Sequence, residues 1–377
     1  MKKIAGITWW KNNYGSILQA YALEKVIDDM EIVEYEILQQ FSANAFSIST
    51  FFSYIKGKGV YATLKYIIKK YGNKKLIQRK QKCDQFVREY MRISEKTFDA
   101  NNKKEIEKNY DGFICGSDQI WNPAFNSRDS IYWLAFENSK YKLAYAPSIG
   151  VTEVTDEVAN EIRNALKSFL GISCRENQGT QLINSIVGNE KCITVLDPTL
   201  LIDKSEWEKL ISARSIHEKY VFSYVLRGTR QQRMLINKFA KSNNLIVVSI
   251  PSLDPDYYDH TEKKYYDIGV TDASPQDFIS LIKHAEYVFT DSFHCMIFSC
   301  LYHRTFFSMK KLGRNQMLRI NDFQEWLMLG NRVVDTMDDV YRVQNETNDD
   351  LWKRFDDRVK QERVNSMNYL KNHLEEM

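Results

Sequence analysis

Short apolar runs alternate with polar stretches of helical spacing along the whole chain. "KIAGITWW" reads as a strand, and "GSILQAYALEKVIDD" as the helix after it, with Ile17, Leu18, Tyr21, Ala22 and Val26 near one face. "IVEYEIL" is a second strand, and helices are expected from Phe41 to about Arg92. "DGFICG", "KLAYAPSIG", "GISCRE" and "CITVLDP" supply four more strands, each followed by polar or helical sequence. A second series begins near Lys219. "KYVFSYVL", "LIVVSI", "YVFTD" and "TFFSM" are its strands. "RQQRMLINKFAKSN", "SPQDFISLIKHA", "FHCMIFSCLY" and "RNQMLRINDFQEWLMLG" are its helices, the second capped by Ser274 with Pro275 at its first position and the last closed by Gly330. Such alternation predicts α/β architecture, with mainly parallel sheets covered by helices on both faces.

The expected organisation is two doubly wound domains, residues 1–205 and 206–345, joined through Asp197 to Lys219. Residues 346–377 form a charged amphipathic helix long enough to pack back across the first domain. Two such domains face each other across a cleft at the carboxyl ends of their strands, where ligands of these sheets bind. "KNNYGS", "GSDQIWN", "SCREN", "TDSFHC" and "KKLGRN" all fall at strand ends and converge on that cleft.

A length of 377 residues suits two domains of ordinary size. Lys and Arg total 52 against 49 Asp and Glu, so net charge makes no case for nucleic acid. The six cysteines are scattered through apolar runs without a CxxC pair, the usage of reduced thiols in the cytosol. The N-terminus lacks a signal peptide's apolar stretch, and no uncharged run approaches the ~20 residues of a membrane span. These features predict a cytoplasmic protein. One stretch is locally basic: from Lys56 to Lys82 lysine and arginine accumulate with interleaved aromatics and no acidic residue. It reads either as a solvated face of amphipathic helices or as a surface for peripheral contact with anionic lipid.

Several clusters carry chemistry. Asn13-Tyr14-Gly15-Ser16 joins the first strand to its helix, where a glycine admits backbone N–H groups to an anion; a plain turn is the alternative, and no nucleotide-binding glycine pattern is present. Ser117, Asp118 and Gln119 offer contacts to sugar hydroxyls and Trp121 a face for a pyranose ring, with helix capping as the competing use. Asp254-Pro255-Asp256 reads as a turn rather than a metal-holding pair. His294 stands at the entrance of an apolar helix as a core histidine, a metal ligand or a proton donor. The spacing of His294, Cys295, Cys300 and His303 does not match known structural zinc sites.

Taken in order, "NNYGSILQAYAL", "FICGSDQIWN", "AYAPSIG", "SCRE", "VLDPTLL" and "TDSFHCMIFSCLYHRTFF" resemble the polysaccharide pyruvyl transferase family. The resemblance implies two Rossmann-like domains in the manner of GT-B glycosyltransferases, and pyruvate transfer from phosphoenolpyruvate to a glycan or lipid-linked saccharide as a ketal. It makes His294 the acid and Arg175 a donor contact beside Ser292, with Lys311 or Arg314 as a further cationic contact. Asp118 then stands as a proton acceptor for the attacking hydroxyl, and Asn13, Tyr14, Gly15, Ser117, Gln119 and Trp121 as the acceptor side. Phosphoenolpyruvate is already activated, so neither metal nor cofactor is required. The chain has Cys295 where the family commonly has glycine, which predicts crowding of the donor. A nucleotide-sugar glycosyltransferase and a non-catalytic glycan-binding protein are the competing functions.

Overall fold

The computed structural model describes residues 1–11, 13–40, 73–98, 102–125, 131–136, 139–252, 262–310 and 317–377. The first part of the basic segment, Asp254 to Asp256, Lys311 and Arg314 lie outside these residues.

The first half is built from β1 (Lys3–Ile7), α1 (Tyr14–Met30), β2 (Glu34–Gln39), α2 (Lys74–Tyr90), β3 (Ile93–Thr97), α3 (Lys103–Lys108), β4 (Gly112–Cys115) and β5 (Tyr141–Ala144). All pairings are parallel, in the order β3-β2-β1-β4-β5. Then come α4 (Asp156–Leu166), β6 (Ile172–Cys174), α5 (Asn177–Val187), β7 (Cys192–Thr194) and α6 (Lys204–Leu210). The parallel pair β6-β7 abuts β5 through a bridge between Leu143 and Gly171. Every residue of β4 is buried, the pattern of a parallel strand covered on both faces.

The second half repeats the plan. It runs through β8 (Tyr220–Tyr224), α7 (Arg230–Ser242), β9 (Ile246–Ser249), β10 (Ile268–Gly269), α8 (Pro275–Lys283), β11 (Tyr287–Thr290), α9 (Phe293–Leu301), β12 (Thr305–Ser308), α10 (Met317–Trp326) and α11 (Met337–Glu346). Its order, β10-β9-β8-β11-β12, is again all parallel. Each sheet therefore reverses direction once, between β1 and β4 and between β8 and β11. Such switch points open a crevice at the carboxyl ends of the strands.

The final helix, α12 (Asp349–Glu376), ties the halves together. Trp352 stacks on His303 and Arg358 reaches the Trp326 carbonyl in the second half. Arg363, Ser366 and Tyr369 bond to Leu200, Leu196 and Ala144 in the first. The interface is also apolar: Tyr14 stacks on Phe278 with centroids 5.0 Å apart and donates to the Ala273 carbonyl, while Trp207 meets Phe298 edge-on.

Three details differ from the sequence pattern. Strand β3 follows directly after α2, in a stretch just beyond the expected helices for which the sequence pattern indicated no strand. Helix α10 ends at Trp326, and Met328 already has φ 58°, so the chain turns before Gly330. Arg79 and Lys82 of the basic segment face the second half, bonding to the Thr271 and Pro251 carbonyls and to Asp272. Those two charges serve the junction between halves rather than a lipid surface. The six cysteines are free and buried.

Burial of Glu24 on α1 pushes its carboxyl up to about 8, against the opposing bond from the Arg92 amide and the Arg92 charge. Folding thus favours the protonated form. Its contribution to stability is full at low pH and falls as pH rises from the ordinary glutamate value of 4.5 through about 8. Glu24→Gln is expected to flatten that decline and to gain about 1–3 kcal/mol over wild type above pH 8. Urea titrations at pH 5 and pH 9 measure it, and equal slopes for both proteins would contradict the assignment.

Candidate functional site

Five loops meet where the two crevices face each other. The loop after β1 carries Asn13 to Ser16, and the loop after β4 carries Ser117 and Asp118. Arg175 and Glu176 follow β6, Asp197 follows β7, and Asp291 to His294 follow β11. Asp291 accepts from the Leu226 and Arg227 amides at 2.8 and 2.9 Å, binding the exits of β8 and β11 into one turn. That turn aims Phe293 and His294, the first residues of α9, at the other half.

Asp197 lies at the centre. Its Oδ2 accepts from Arg175 Nη1 at 2.9 Å and stands 3.4 Å from His294 Nε2, an ion-pair distance without hydrogen-bond alignment. Its Oδ1 accepts from the Thr199 hydroxyl and amide at 2.7 and 3.1 Å. Burial would raise this carboxyl, but the charges of His294 and Arg175 and the Thr199 bond hold it well below the usual carboxylate range.

Asp118 takes the other edge of the same guanidinium, at 3.4 Å from Arg175 Nη2. It also accepts from Ser16 Oγ at 2.6 Å and from the Gln119 amide at 2.8 Å. Here too burial acts upward, while Arg175, His294 and these bonds bring the net shift downward. Its backbone occupies the left-handed region, φ 65°, a conformation sparsely used by residues other than glycine and concentrated at functional sites.

Arg175 packs its guanidinium over the Phe293 ring at 4.5 Å, and Arg319 of α10 faces that ring at 5.8 Å. Glu176 accepts from the Ile149 amide, and burial raises its carboxyl despite the opposing charges of Arg175 and Arg319. Two guanidiniums, an imidazole and three carboxylates are thus gathered in one buried cluster. The Arg175 Nε has no hydrogen-bond partner among the described residues. Buried polar atoms left unpaired are costly, and they are retained where a ligand or chemistry uses them.

The structure brings His294, Asp118 and Arg175 together as the sequence suggested, and Gly15 with them. A Cβ on Gly15 would stand 2.1 Å from His294 Nδ1, so the imidazole rests against the bare glycine. The glycine serves that close approach. The Gly15 and Ser16 amides already bond to Asn13 Oδ1, as an ordinary N-cap, and are not offered to an anion.

Other acceptor-side residues are committed to packing. Trp121 is 1% exposed, stacked on Trp133 at 4.7 Å with its indole N–H on the Tyr132 carbonyl, so neither face meets a sugar here. Tyr14 is held in the contact between halves. Ser117 is buried and donates to the Ala146 carbonyl. Gln119 stays at the site: with its carbonyl toward Arg319, it accepts at 3.1 and 3.2 Å. Ser292 precedes α9 without a side-chain cap bond. The Cys295 thiol belongs to the core, where burial raises it, and does not crowd the cluster. Among the described residues no group of His, Cys, Asp or Glu is arranged to hold a metal; His303 pairs with Asp356 instead. No helix of the described residues is long and apolar enough to cross a membrane.

Sequence reading missed Asp197, Glu176 and Arg319. Asp197 sits in the "VLDPTLL" segment, which had been assigned to the linker; its distance along the chain from His294 concealed their meeting.

A double parallel-sheet architecture with its polar cluster between two switch points defines a GT-B-like protein. Solved structures agree on the fold. A Listeria monocytogenes protein solved as a candidate UDP-N-acetylglucosamine 2-epimerase matches at TM-score 0.58 and 12% identity, over 94% of this chain and 90% of that one. S. aureus MnaA, in a co-structure with UDP, matches at 0.53 and 11% over 99% and 97%. A glycosyltransferase from Rickettsia africae matches at 0.52 and 12% over 98% and 96%. No curated protein matches the chain. The model of the polysaccharide pyruvyl transferase family covers residues 13–310, and the chain belongs to that family.

Gly15→Ala is expected to cost about 1–3 kcal/mol by overpacking His294. In a His294→Ala background the same change should cost clearly less, because the ring atoms at 2.1 and 2.5 Å are gone and only the Cβ at 2.8 Å remains. Thermal denaturation of the four proteins tests the coupling, and additive costs would contradict the contact.

Proposed function

We propose that the protein transfers pyruvate from phosphoenolpyruvate to a glycan or lipid-linked saccharide, forming a ketal on two hydroxyls of one sugar. The observation that carries this reading is the His294–Asp197–Arg175 constellation at the mouth of both sheets. It provides a proton donor beside buried cationic groups, as protonation of an anionic enol ester demands.

In this mechanism His294, charged and held by Asp197, gives its proton to the methylene carbon of the donor, and positive character develops at C2. A sugar hydroxyl adds there, the C2–O bond to phosphate breaks, and a second hydroxyl closes the ketal. Two hydroxyl protons are released. One restores His294 and the other leaves on phosphate, so the reaction balances without a cofactor. The departing phosphate, far more basic than a carboxylate held below its usual range, is the better acceptor. Asp118, held below its usual range by Arg175 and His294 against the upward push of burial, is ionised but weakly basic. Its role is to orient Arg175 and, through Ser16, the loop after β1. The acceptor is expected to meet the protein in the cytoplasm or at the inner membrane face. Lys74, Lys75 and Lys80 on α2 remain the described basic residues for lipid contact.

His294→Gln is expected to keep the melting temperature within a few degrees and to lower phosphate release from phosphoenolpyruvate by about 10²–10⁴-fold. Mass spectrometry of a glycan panel reads the pyruvylated product directly. Wild-type turnover in the variant removes His294 from the chemistry. Transfer from a UDP- or CMP-sugar, with none from phosphoenolpyruvate, would replace the reading with glycosyl transfer.

A further inference from the structure

The two halves touch near the cluster through one face of α10. Arg319 and Asp322, three residues apart, project from adjacent turns of that helix toward the first half. Asp322, 5% exposed, accepts from the first two amides of α5: Asn177 N to Oδ2 at 2.8 Å and Gln178 N to Oδ1 at 3.1 Å. Helix N-termini expose such N–H groups and carry partial positive charge, so a carboxylate there is strongly held. Glu176, the N-cap of α5, makes no capping bond with its side chain. The second half therefore supplies the cap that the first half lacks.

Arg319 follows from that docking. Its guanidinium is buried and shares the Phe293 ring with Arg175, the Gln119 carbonyl facing it. Burial and the like charge of Arg175 lower it to about 10, with Glu176 and Asp118 opposing. Gathering two guanidiniums is costly unless negative charge is shared between them. Arg175 already gives one terminal nitrogen to Asp197 and the other to Asp118. Arg319 brings a second guanidinium, from α10, to the same ring. The space between Gly150, Glu176, Gln178, Arg319 and Asp322 is only about 10 Å³, room for roughly one water.

We propose that Arg319 is a residue of the second half that binds the anionic donor, and that Asp322 is its positioning residue, holding α10 against α5. The assignment rests on the phosphoenolpyruvate reading for the donor's identity, but not for the docking of Asp322. It adds Arg319 to the cationic contacts expected of the second half; Lys311 and Arg314 lie outside the described residues.

Two arms test it. In the first, no ligand is present: Asp322→Asn should raise hydrogen exchange at the Asn177 and Gln178 amides about tenfold or more, with the melting temperature nearly kept. Unchanged exchange overturns the positioning role. In the second, calorimetry with phosphoenolpyruvate and with inorganic phosphate compares wild type, Arg319→Gln and Arg319→Lys. The Gln variant should weaken both anions about 10–100-fold and the Lys variant less, while glycan binding is unmoved. Asp322→Asn should weaken phosphoenolpyruvate in the same direction, and Asp322→Glu should restore part of the loss. Equal phosphoenolpyruvate affinity in wild type and Arg319→Gln overturns the binding role and leaves the proposed reaction standing. Phosphate binding that depends on Arg319, without phosphoenolpyruvate binding, supports the anion site and overturns the proposed reaction. If wild type binds neither anion, both fall.

Discussion

One carboxylate holds the site together. Asp197 is almost fully buried, and burying an ionised group is expensive unless its charge is met. It is met by Arg175 from the neighbouring strand end and by His294 from the other half, with Thr199 satisfying the second oxygen. Without Arg175 that charge would lose its nearest cationic partner in the low-dielectric interior. The arrangement of the two halves is therefore tied to the placement of a single imidazole.

The same constraint explains the local sequence. His294 reaches Asp197 only because Gly15 presents no Cβ to its ring, and Gly15 lies where the turn after β1 must pass under α9. Phe293 gives the two guanidiniums an apolar floor, a face that attracts cations while excluding water. Ser16, Asn13 and Gln119 are the small polar parts that hold the first half's loops in register with this floor. Each contact is modest, but they share partners and so act as a unit.

Placement at the switch points is a consequence of topology. In a 3-2-1-4-5 sheet, neighbouring strands 1 and 4 send their following connections to opposite faces, leaving a gap at the carboxyl edge. Two copies of that gap, opposed and joined by α12 and the Tyr14–Phe278 stack, create an enclosed space with side chains from both walls. Asp322 ties α10 to the first half at the edge of this space. A reaction through cationic character at carbon benefits from such a space, since water there would compete with the sugar.

Much of this was written in the chain. The alternation of apolar runs and helical spacing determined the α/β class and the two-series organisation, because strands buried on both faces must be continuously apolar. Ser274 with Pro275 marked the start of α8, and "TDSFHC" marked a strand end carrying His294, since local rules govern caps and turns. What the chain order could not reveal was which charges meet. Asp197 looked like a linker residue until β7 delivered it between Arg175 and His294. Trp121 looked like a sugar platform until Trp133 covered it. Arg319 is one residue of an expected long helix, and only packing shows that α10 turns it toward the Phe293 ring. Periodicity records which face of an element is buried, whereas the partner on the other side is chosen by packing between segments distant in sequence.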